Sequence, residues 1–205
     1  MSSTESVRRH YDRRAERYDR LIAPFESLFF GGGREWACSR ARGEVLEIAV
    51  GTGRNLPFYP EGVRLTGIEL SPKMLAIAHR RARELNAGLD LRTGDAQDLP
   101  FPDASFDTVV ATLALCTIPD DRRAVAEAAR VLRPGGRLLL LEHVRSPLLP
   151  VRLAQTVLNP LAVLLDRDHL LREPLHHVEA EGLIVERLER SRLGIVERLA
   201  ACKPS

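Results

Sequence analysis

Two glycines and one acid stand in an order that suits a nucleotide-like ligand. Gly51 and Gly53 follow the apolar run 45–50, and the next apolar run, 64–69, ends at Glu69. Glycines let a ligand approach the backbone closely, and a helix after such a turn presents free N–H groups. The turn can hold a pyrophosphate or a carboxylate. An acid at the end of the second strand can accept hydrogen bonds from ribose hydroxyls.

Asp95 and Ala96 supply a third part of this predicted site. They come directly after the apolar segment 89–93, so the carboxylate is expected at the same sheet edge as Glu69. There it can accept a hydrogen bond from an adenine amine, while alanine leaves space for a flat base. The alternative is that Asp95 simply caps a helix.

Alternating strand and helix patterns predict the elements that position these residues. Apolar runs predict seven strands, at 45–50, 64–69, 89–93, 106–113, 136–143, 183–189 and 194–201. Helical periodicity predicts helices at 5–30, 34–42, 53–59, 72–87, 121–132 and 171–181. Repeated β–α units imply a parallel sheet with right-handed crossovers. We therefore predict one α/β domain over 1–205, with a Rossmann-like, doubly wound, seven-stranded sheet that is mostly parallel and ends in antiparallel strands.

Two helical segments are expected to cover this sheet. Residues 1–43 form a predicted N-terminal helical cap, in which Pro24 is expected to bend or divide the first helix. Residues 145–170 interrupt the alternation, and within them 146–166 is apolar except for one narrow polar stripe. This segment is either a helix buried against the sheet or a lid over an apolar substrate pocket. A helix lying on a membrane surface is a third alternative.

Composition excludes several classes of function. The net charge of +2 is close to neutral and argues against nucleic-acid binding. The three cysteines form no CxxC pair, which favours reduced thiols in a cytoplasmic protein. His169, His176 and His177 lack a well-spaced further ligand, so no metal site is predicted. No apolar run reaches the length of a membrane span. The oligomeric state stays open.

The ordered motifs resemble the class I S-adenosylmethionine-dependent methyltransferases. The resemblance covers roughly residues 7–144 and is carried by Glu47, Gly51-x-Gly53, Glu69, Gly94-Asp95-Ala96, Phe106-Asp107 and Val131-Leu132-Arg133-Pro134-Gly135-Gly136. It implies S-adenosylmethionine as the cofactor. The glycine turn would hold its methionine part, Glu69 its ribose, and Asp95-Ala96 its adenine.

The same resemblance implies a wider set of cofactor-binding residues. The predicted set is Tyr18, Glu47, Ala49, Gly51, Gly53, Asn55, Glu69, Leu70, Asp95, Ala96 and Thr112. Tyr18 is preferred to Tyr11 as the aromatic that closes over the cofactor. Ala49 departs from the common family pattern, which has glycine, and is expected to be tolerated if its φ is negative.

Two further segments, 111–118 and 141–144, narrow the resemblance. They are similar to the methyltransferase-like thiol S-methyltransferases and to bacterial phospholipid N-methyltransferases. A small thiol is the implied acceptor, and the apolar segment 146–166 leaves an apolar one open. The alternatives are an amine of a phospholipid or small metabolite, and a quinone-like carbon or hydroxyl. From other classes, a nicotinamide-dependent oxidoreductase and an inactive cofactor-binding module also remain open.

Methyl transfer needs an acceptor held in line with the S–CH₃ bond and shielded from water. His143 is predicted to act as general base or orienting group, with a hydrogen-bonded structural histidine as the alternative. Strand alternation turns Glu142 to the opposite face. Cys116 is expected to line the site without a covalent role. The predicted substrate pocket comprises Tyr11, Leu115, Cys116 and His143.

Overall fold

The computed structural model describes residues 3–85, 88–191 and 193–205. Within them, seven strands form one sheet: β1 Glu44–Ile48, β2 Arg64–Glu69, β3 Asp90–Thr93, β4 Phe106–Thr112, β5 Leu132–His143, β6 Ile184–Arg190 and β7 Val196–Cys202. The strand order is β3-β2-β1-β4-β5-β7-β6. Strands β1 to β5 pair in parallel, whereas β7 runs antiparallel to both β5 and β6. The predicted fold class is confirmed.

The helices follow local signals that the sequence contains. They are α1 Ser3–Phe29, α2 Gly33–Cys38, α3 Pro72–Glu84, α4 Asp121–Val131, α5 Leu149–Asp166 and α6 Pro174–Ala180. The Ser71 side chain accepts a hydrogen bond from Met74 N at the start of α3, and Asp120 accepts one from Arg123 N at the start of α4. Both are N-caps, which explains why these two helices begin where predicted. Residues 86–87, the last two residues of the helix predicted at 72–87, lie outside the described residues.

Helices cover both faces of the sheet. On one face Leu138 of β5 belongs to the same buried cluster as Val125 of α4. On the other face Leu139 belongs to the cluster that contains Trp36 of α2 and Leu75 of α3. Neighbouring strand residues thus point to opposite sides, so the central strands are apolar throughout. This is the doubly wound arrangement that the repeated β–α units predict.

Several predicted boundaries are wrong, and so is the predicted division of the first helix at Pro24. The helix expected at 53–59 is only a 3₁₀ turn at Leu56–Phe58, and the helix expected at 34–42 ends at Cys38. Pro24 does not divide α1, which continues through it. The fifth strand begins at Leu132 instead of 136, because Leu132 already pairs with Phe106 before the register shifts.

The helix α5 turns polar side chains toward the domain and leaves its apolar side chains exposed. Gln155 Nε2 donates to Val144 O at 2.9 Å, and Asn159 Oδ1 accepts from Leu170 N at 2.9 Å. The polar stripe therefore faces the protein. None of the residues of α5 is buried, and the exposed ones include Leu149, Leu153, Val157, Leu158, Leu161 and Leu164. The expectation that this helix is buried against the sheet is wrong. Among the described helices, none is long and apolar enough to cross a bilayer.

Candidate active site

A first cleft opens where the parallel strands end and the chain order changes direction. Strand β1 lies between β2 and β4, so the crossovers to its two neighbours run in opposite directions. Ligands of open α/β sheets bind at such a switch point. The cleft contains about 640 Å³ of empty space, part of which is open to solvent. Seven predicted cofactor residues line it: Tyr18, Ala49, Gly51, Glu69, Leu70, Asp95 and Ala96.

The glycine turn after β1 is held in the left-handed backbone region. The φ angles are +54° at Ala49, +59° at Gly51 and +78° at Gly53. The condition for tolerating alanine at this position, a negative φ, is therefore not met, although Ala49 still lines the cleft. A left-handed alanine costs roughly 1–2 kcal/mol, which the surrounding contacts must offset. Gly53 does not line the cleft. A Cβ there would lie 3.2 Å from Ala78 Cα, so this glycine allows close packing on α3.

Glu69 fixes the shape of this turn from the neighbouring strand. Its carboxylate accepts hydrogen bonds from Gly51 N at 2.9 Å and from Ser71 N at 2.8 Å. The side chain is buried, and desolvation raises its pKa. Glu69 therefore joins the end of β2 to the turn after β1 and to the start of α3, while it also lines the cleft.

Asp95 stabilises a turn, and no described helix begins there. Its Oδ1 accepts a hydrogen bond from Gln97 N at 2.9 Å, and Asp95 also forms an isolated bridge with Asp98. The alternative expectation of a helix cap is wrong. Asp95 and Ala96 both lie in the lining of the first cleft, and their contact with an adenine base stays a prediction.

Three predicted cofactor residues lie outside that lining, in a buried polar network. Asn55 Nδ2 donates to Glu47 Oε1 and to Thr112 Oγ1, each at 2.8 Å. Tyr59 Oη donates to the other Glu47 oxygen at 2.8 Å, and Arg34 donates to Asn55 Oδ1 at 2.8 Å. Burial raises the pKa of Glu47 to about 7. The network connects β1, β4 and α2, so its contribution to binding a ligand is to hold the glycine turn in place.

Helix α1 covers the first cleft and is attached through two aspartates. Asp12 Oδ1 accepts from Ser71 Oγ at 2.7 Å. Asp19 accepts from Thr52 Oγ1 and from Arg81, each at 2.6 Å. Tyr11 and Tyr18 of the same helix line the first cleft together with Ala49 and Gly51. Sequence analysis identified the tyrosines but missed the aspartates, because their partners lie far along the chain.

A second cleft adjoins the first. It contains about 1250 Å³ of empty space, part of which is open to solvent, and it shares Tyr11, Tyr18, Leu113 and Thr117 with the first cleft. Cys116 and His143, two residues of the predicted substrate pocket, line it. Leu115 does not, because it is buried in the core beside β4. The two clefts therefore meet at a wall formed by α1 and the residues that follow β4.

His143 and Asp168 form the main polar pair of the second cleft. His143 Nε2 lies 2.6 Å from Asp168 Oδ1. Burial alone would lower the pKa of His143, but the hydrogen bond and negative charge of Asp168 outweigh it, so the pKa is raised. Nδ1 of His143 is buried and has no hydrogen-bond partner among the described residues. Burial lowers the pKa of His10, which lines the same cleft, to about 4.

Cys116 contributes a protonated thiol. Burial raises its pKa, and the nearby Asp168 raises it further. The Sγ of Cys116, one ring nitrogen of His143 and one carboxylate oxygen of Asp168 lie within 4.8 Å of one another. Because the thiolate is the nucleophilic form, this environment favours a role in lining the cleft over a covalent one.

Glu142 points away from this group. Its Oε1 accepts hydrogen bonds from Ala114 N at 2.9 Å and from Leu115 N at 3.1 Å. Burial raises its pKa to about 7. Glu142 thus supports the backbone after β4, while His143 lines the second cleft, in agreement with the expected strand alternation.

Sequence analysis missed several lining residues, among them Leu113, Thr117 and Asp168. Leu113 and Thr117 follow β4, and their position at a strand end was the available signal. Leu113 adopts a φ of +54°, which no pattern in the sequence indicates. Asp168 lies between α5 and α6, in a segment without a recognised motif.

Comparison with known proteins agrees with this geometry. Residues 46–140 match the family model described as a methyltransferase domain. This segment of the chain is therefore similar to a methyltransferase domain. Over 103 residues it is 46% identical to phosphatidylethanolamine N-methyltransferase of Cereibacter sphaeroides, covering 49% of this chain and 51% of that protein. Over 130 residues it is 34% identical to human thiol S-methyltransferase TMT1A, covering 62% and 53%. The chain thus spans about half the length of these relatives.

A solved structure extends the comparison to the fold. It is a Thermotoga maritima protein described as an SAM-dependent methyltransferase, possibly a histamine N-methyltransferase. It superposes with a TM-score of 0.72 at 22% identity, covering 95% of this chain and 99% of that one. The match establishes the Rossmann-like fold. Together with the domain match, it confirms the predicted resemblance and S-adenosylmethionine as the cofactor of the family. The contact residues themselves stay predictions.

Proposed function

We propose that this methyltransferase domain transfers a methyl group from S-adenosylmethionine to a small, partly apolar acceptor, of which a thiol is the first candidate. The observation that carries the proposal is the pair of adjoining clefts. The first has carboxylates placed for a nucleoside, and the second contains the His143–Asp168 pair. A shared wall brings the contents of the two clefts into contact.

The residues of the first cleft fit S-adenosylmethionine. A Cβ placed on Gly51 would meet nothing nearer than Met74 Cε at 3.8 Å, so the turn leaves room beside its backbone. Glu69 and Asp95 are acceptors suited to ribose hydroxyls and an adenine amine, respectively. When bound, the cofactor supplies an electrophilic methyl group. The contribution of α1 is to cover the cleft and exclude water from it.

The second cleft supplies the proton acceptor. Asp168 occupies Nε2 of His143, which leaves Nδ1 as the remaining ring atom able to take a proton when the imidazole is neutral. A thiol needs only modest help to lose its proton, and one histidine is sufficient for it. A hydroxyl would need a stronger base. This difference favours a thiol over an alcohol as acceptor.

A phospholipid amine is the second candidate. It is favoured by the 46% identity to a phosphatidylethanolamine N-methyltransferase over 103 residues. An amine must also lose a proton, so His143 would serve either acceptor. The proposed base therefore does not distinguish a thiol from an amine, and the two candidates differ only in which acceptor enters the second cleft.

Labelled S-adenosylmethionine offered with two acceptor panels tests the proposal. One panel contains small aliphatic and aromatic thiols, and the other contains phosphatidylethanolamine vesicles and small amines. Labelled thioether is expected from the first panel. Product from the second panel alone would replace the thiol by the amine. Thermal stabilisation by S-adenosylhomocysteine without product in either panel would indicate a silent binding module. Stabilisation by NADH instead would contradict the proposed cofactor.

A further inference from the structure

The outer face of α5 and the adjoining face of α1 form an exposed apolar surface, which we call the α5–α1 surface. On α5, Val157 is 78% exposed and Leu164 is 70% exposed. On α1, Leu21 is 60% exposed and Leu28 is 75% exposed. Single exposed leucines are ordinary, but a continuous row along an 18-residue helix is typical of a contact surface.

Hydrogen bonds hold α5 in this orientation. Gln155 Oε1 accepts from Ser146 N at 2.8 Å, and Gln155 Nε2 donates to Val144 O at 2.9 Å. Asn159 accepts from Leu170 N one turn later. Rotating the helix to bury its leucines would break these bonds. The apolar face is therefore directed outward by the same contacts that attach the helix to the domain.

Charge on α1 indicates what covers this surface. Arg13, Arg17 and Arg20 are exposed, and Glu16 is the exposed acid beside them. Arg17, Leu21 and Leu28 share one face of α1, because residues four and eleven positions apart nearly coincide around a helix. Basic side chains next to exposed leucines are the pattern of a helix that lies in the interface of an anionic membrane.

Helix α1 contacts the C-terminal end of α5, so the basic and apolar residues of the two helices are neighbours. Arg14 forms an ion pair with Asp166 and donates to Leu165 O. The polar stripe of α5 contains a single basic residue, Arg152, and no basic cluster, which by itself argues against a membrane helix. In the folded domain α1 supplies the further basic residues. Apolar and basic groups are thus combined from two helices.

We propose that the α5–α1 surface docks the domain on a lipid bilayer that contains anionic headgroups. The helix α5 lies in the interface with its leucines toward the acyl chains, and the arginines of α1 contact lipid phosphates. Leu21, Phe25 and Leu165 belong both to this surface and to the lining of the second cleft. The mouth of that cleft therefore opens toward the bilayer. Entry of an acceptor from the lipid rests additionally on the function proposed above.

Vesicle flotation tests the docking surface. The wild-type chain is mixed with vesicles of phosphatidylglycerol and phosphatidylcholine, or of phosphatidylcholine alone. It is expected to float with the anionic vesicles, and less as salt is raised. The double variant V157Q/L161Q should bind the anionic vesicles roughly tenfold or more weakly, since it loses two apolar side chains that would enter the bilayer on docking. The matched control I184Q/L188Q changes exposed apolar residues of β6 and should bind normally.

Further measurements separate the alternatives. R13Q/R17Q should weaken binding to anionic vesicles and leave the weak binding to neutral ones unchanged. Circular dichroism and thermal melting of each variant show that it is folded. Absence of flotation by the folded wild-type chain would overturn the proposal. A dimer in light scattering that V157Q/L161Q dissociates, without vesicle binding, would assign the surface to a second copy instead. None of the substituted residues lines either cleft, so this outcome is independent of methyl transfer.

Discussion

Glu69 and Gly51 are hydrogen-bonded side chain to backbone, with Gly51 N donating to Glu69 Oε2 over 2.9 Å. The same carboxylate accepts from Ser71 N through its other oxygen. A single buried acid therefore connects the turn after β1 with the helix after β2. Any ligand of the first cleft meets Glu69 and the turn together, so the two cannot be altered independently.

Glu69→Gln should weaken the binding of S-adenosylhomocysteine. The amide replaces one acceptor oxygen by a donor, which then opposes a backbone N–H and leaves it unsatisfied. The expected loss is about 1–3 kcal/mol, or roughly 5- to 150-fold in Kd. Isothermal titration calorimetry measures it. Glu61→Gln, at an exposed glutamate, is the matched control and should bind normally. Equal affinities of the two variants would place the cofactor elsewhere.

Much of this cleft follows from chain order alone. The runs ending at Glu69 and before Asp95 predict parallel strands, and parallel strands place their carboxyl ends at one edge. The two acids could therefore be assigned to one site without knowledge of contacts. The positive φ of Ala49 could not, because it depends on Glu69 and on the contacts that hold the turn.

Other features of the structure could not be predicted, because a periodic pattern of residues does not fix the contacts between elements. The stripe that contains Gln155 and Asn159 defines two faces of α5 but does not state which of them meets the domain. The helix expected at 53–59 does not form because the Asn55 side chain is hydrogen-bonded to Glu47 and Thr112. A regular helix at 53–59 would move this side chain away from both partners. Asp168 reaches His143 from a loop, and loops have no spacing rule that predicts a partner.

Asp168→Asn should shift the pH profile of methyl transfer. A base must be neutral to accept a proton, so activity rises as pH passes upward through the pKa of His143. Asp168 raises that pKa above its ordinary value. Without its charge, the rise should move to lower pH, and kcat should fall by about tenfold or more. Rates with saturating acceptor between pH 5 and 9 measure both effects.

His143→Gln should abolish this pH-dependent rise and lower kcat at least as strongly. His176→Gln, at an exposed histidine outside both clefts, is the matched control and should retain the wild-type profile. A profile that is unchanged in both Asp168→Asn and His143→Gln would assign the pair a structural role.

Glu47→Gln should remove a pH-dependent penalty on stability. Burial raises the folded pKa of Glu47 to about 7, above its ordinary value of 4.5. The folded state therefore binds an extra proton between these values, and the free energy of unfolding falls as pH rises through them. The penalty reaches about 3 kcal/mol above pH 7. Urea unfolding of both proteins at pH 5 and pH 8 measures it, and the variant should gain stability relative to wild type at the higher pH. An equal difference at both values would contradict the buried, protonated acid.

Gly53→Ala should separate conformational strain from packing in the turn. Gly53 has a φ of +78°, and a Cβ there would lie 2.9 Å from Leu56 Cδ1 and 3.2 Å from Ala78 Cα. Gly62 has a similar φ of +84° but nothing within 4 Å of its Cβ position. Gly62→Ala therefore carries the backbone cost alone, roughly 1–2 kcal/mol. Gly53→Ala carries the same cost plus about 1–3 kcal/mol for overpacking against α3. Chemical denaturation of the two variants compares them directly. Because α3 would have to move away from the turn, the affinity for S-adenosylhomocysteine should fall in Gly53→Ala and stay unchanged in Gly62→Ala.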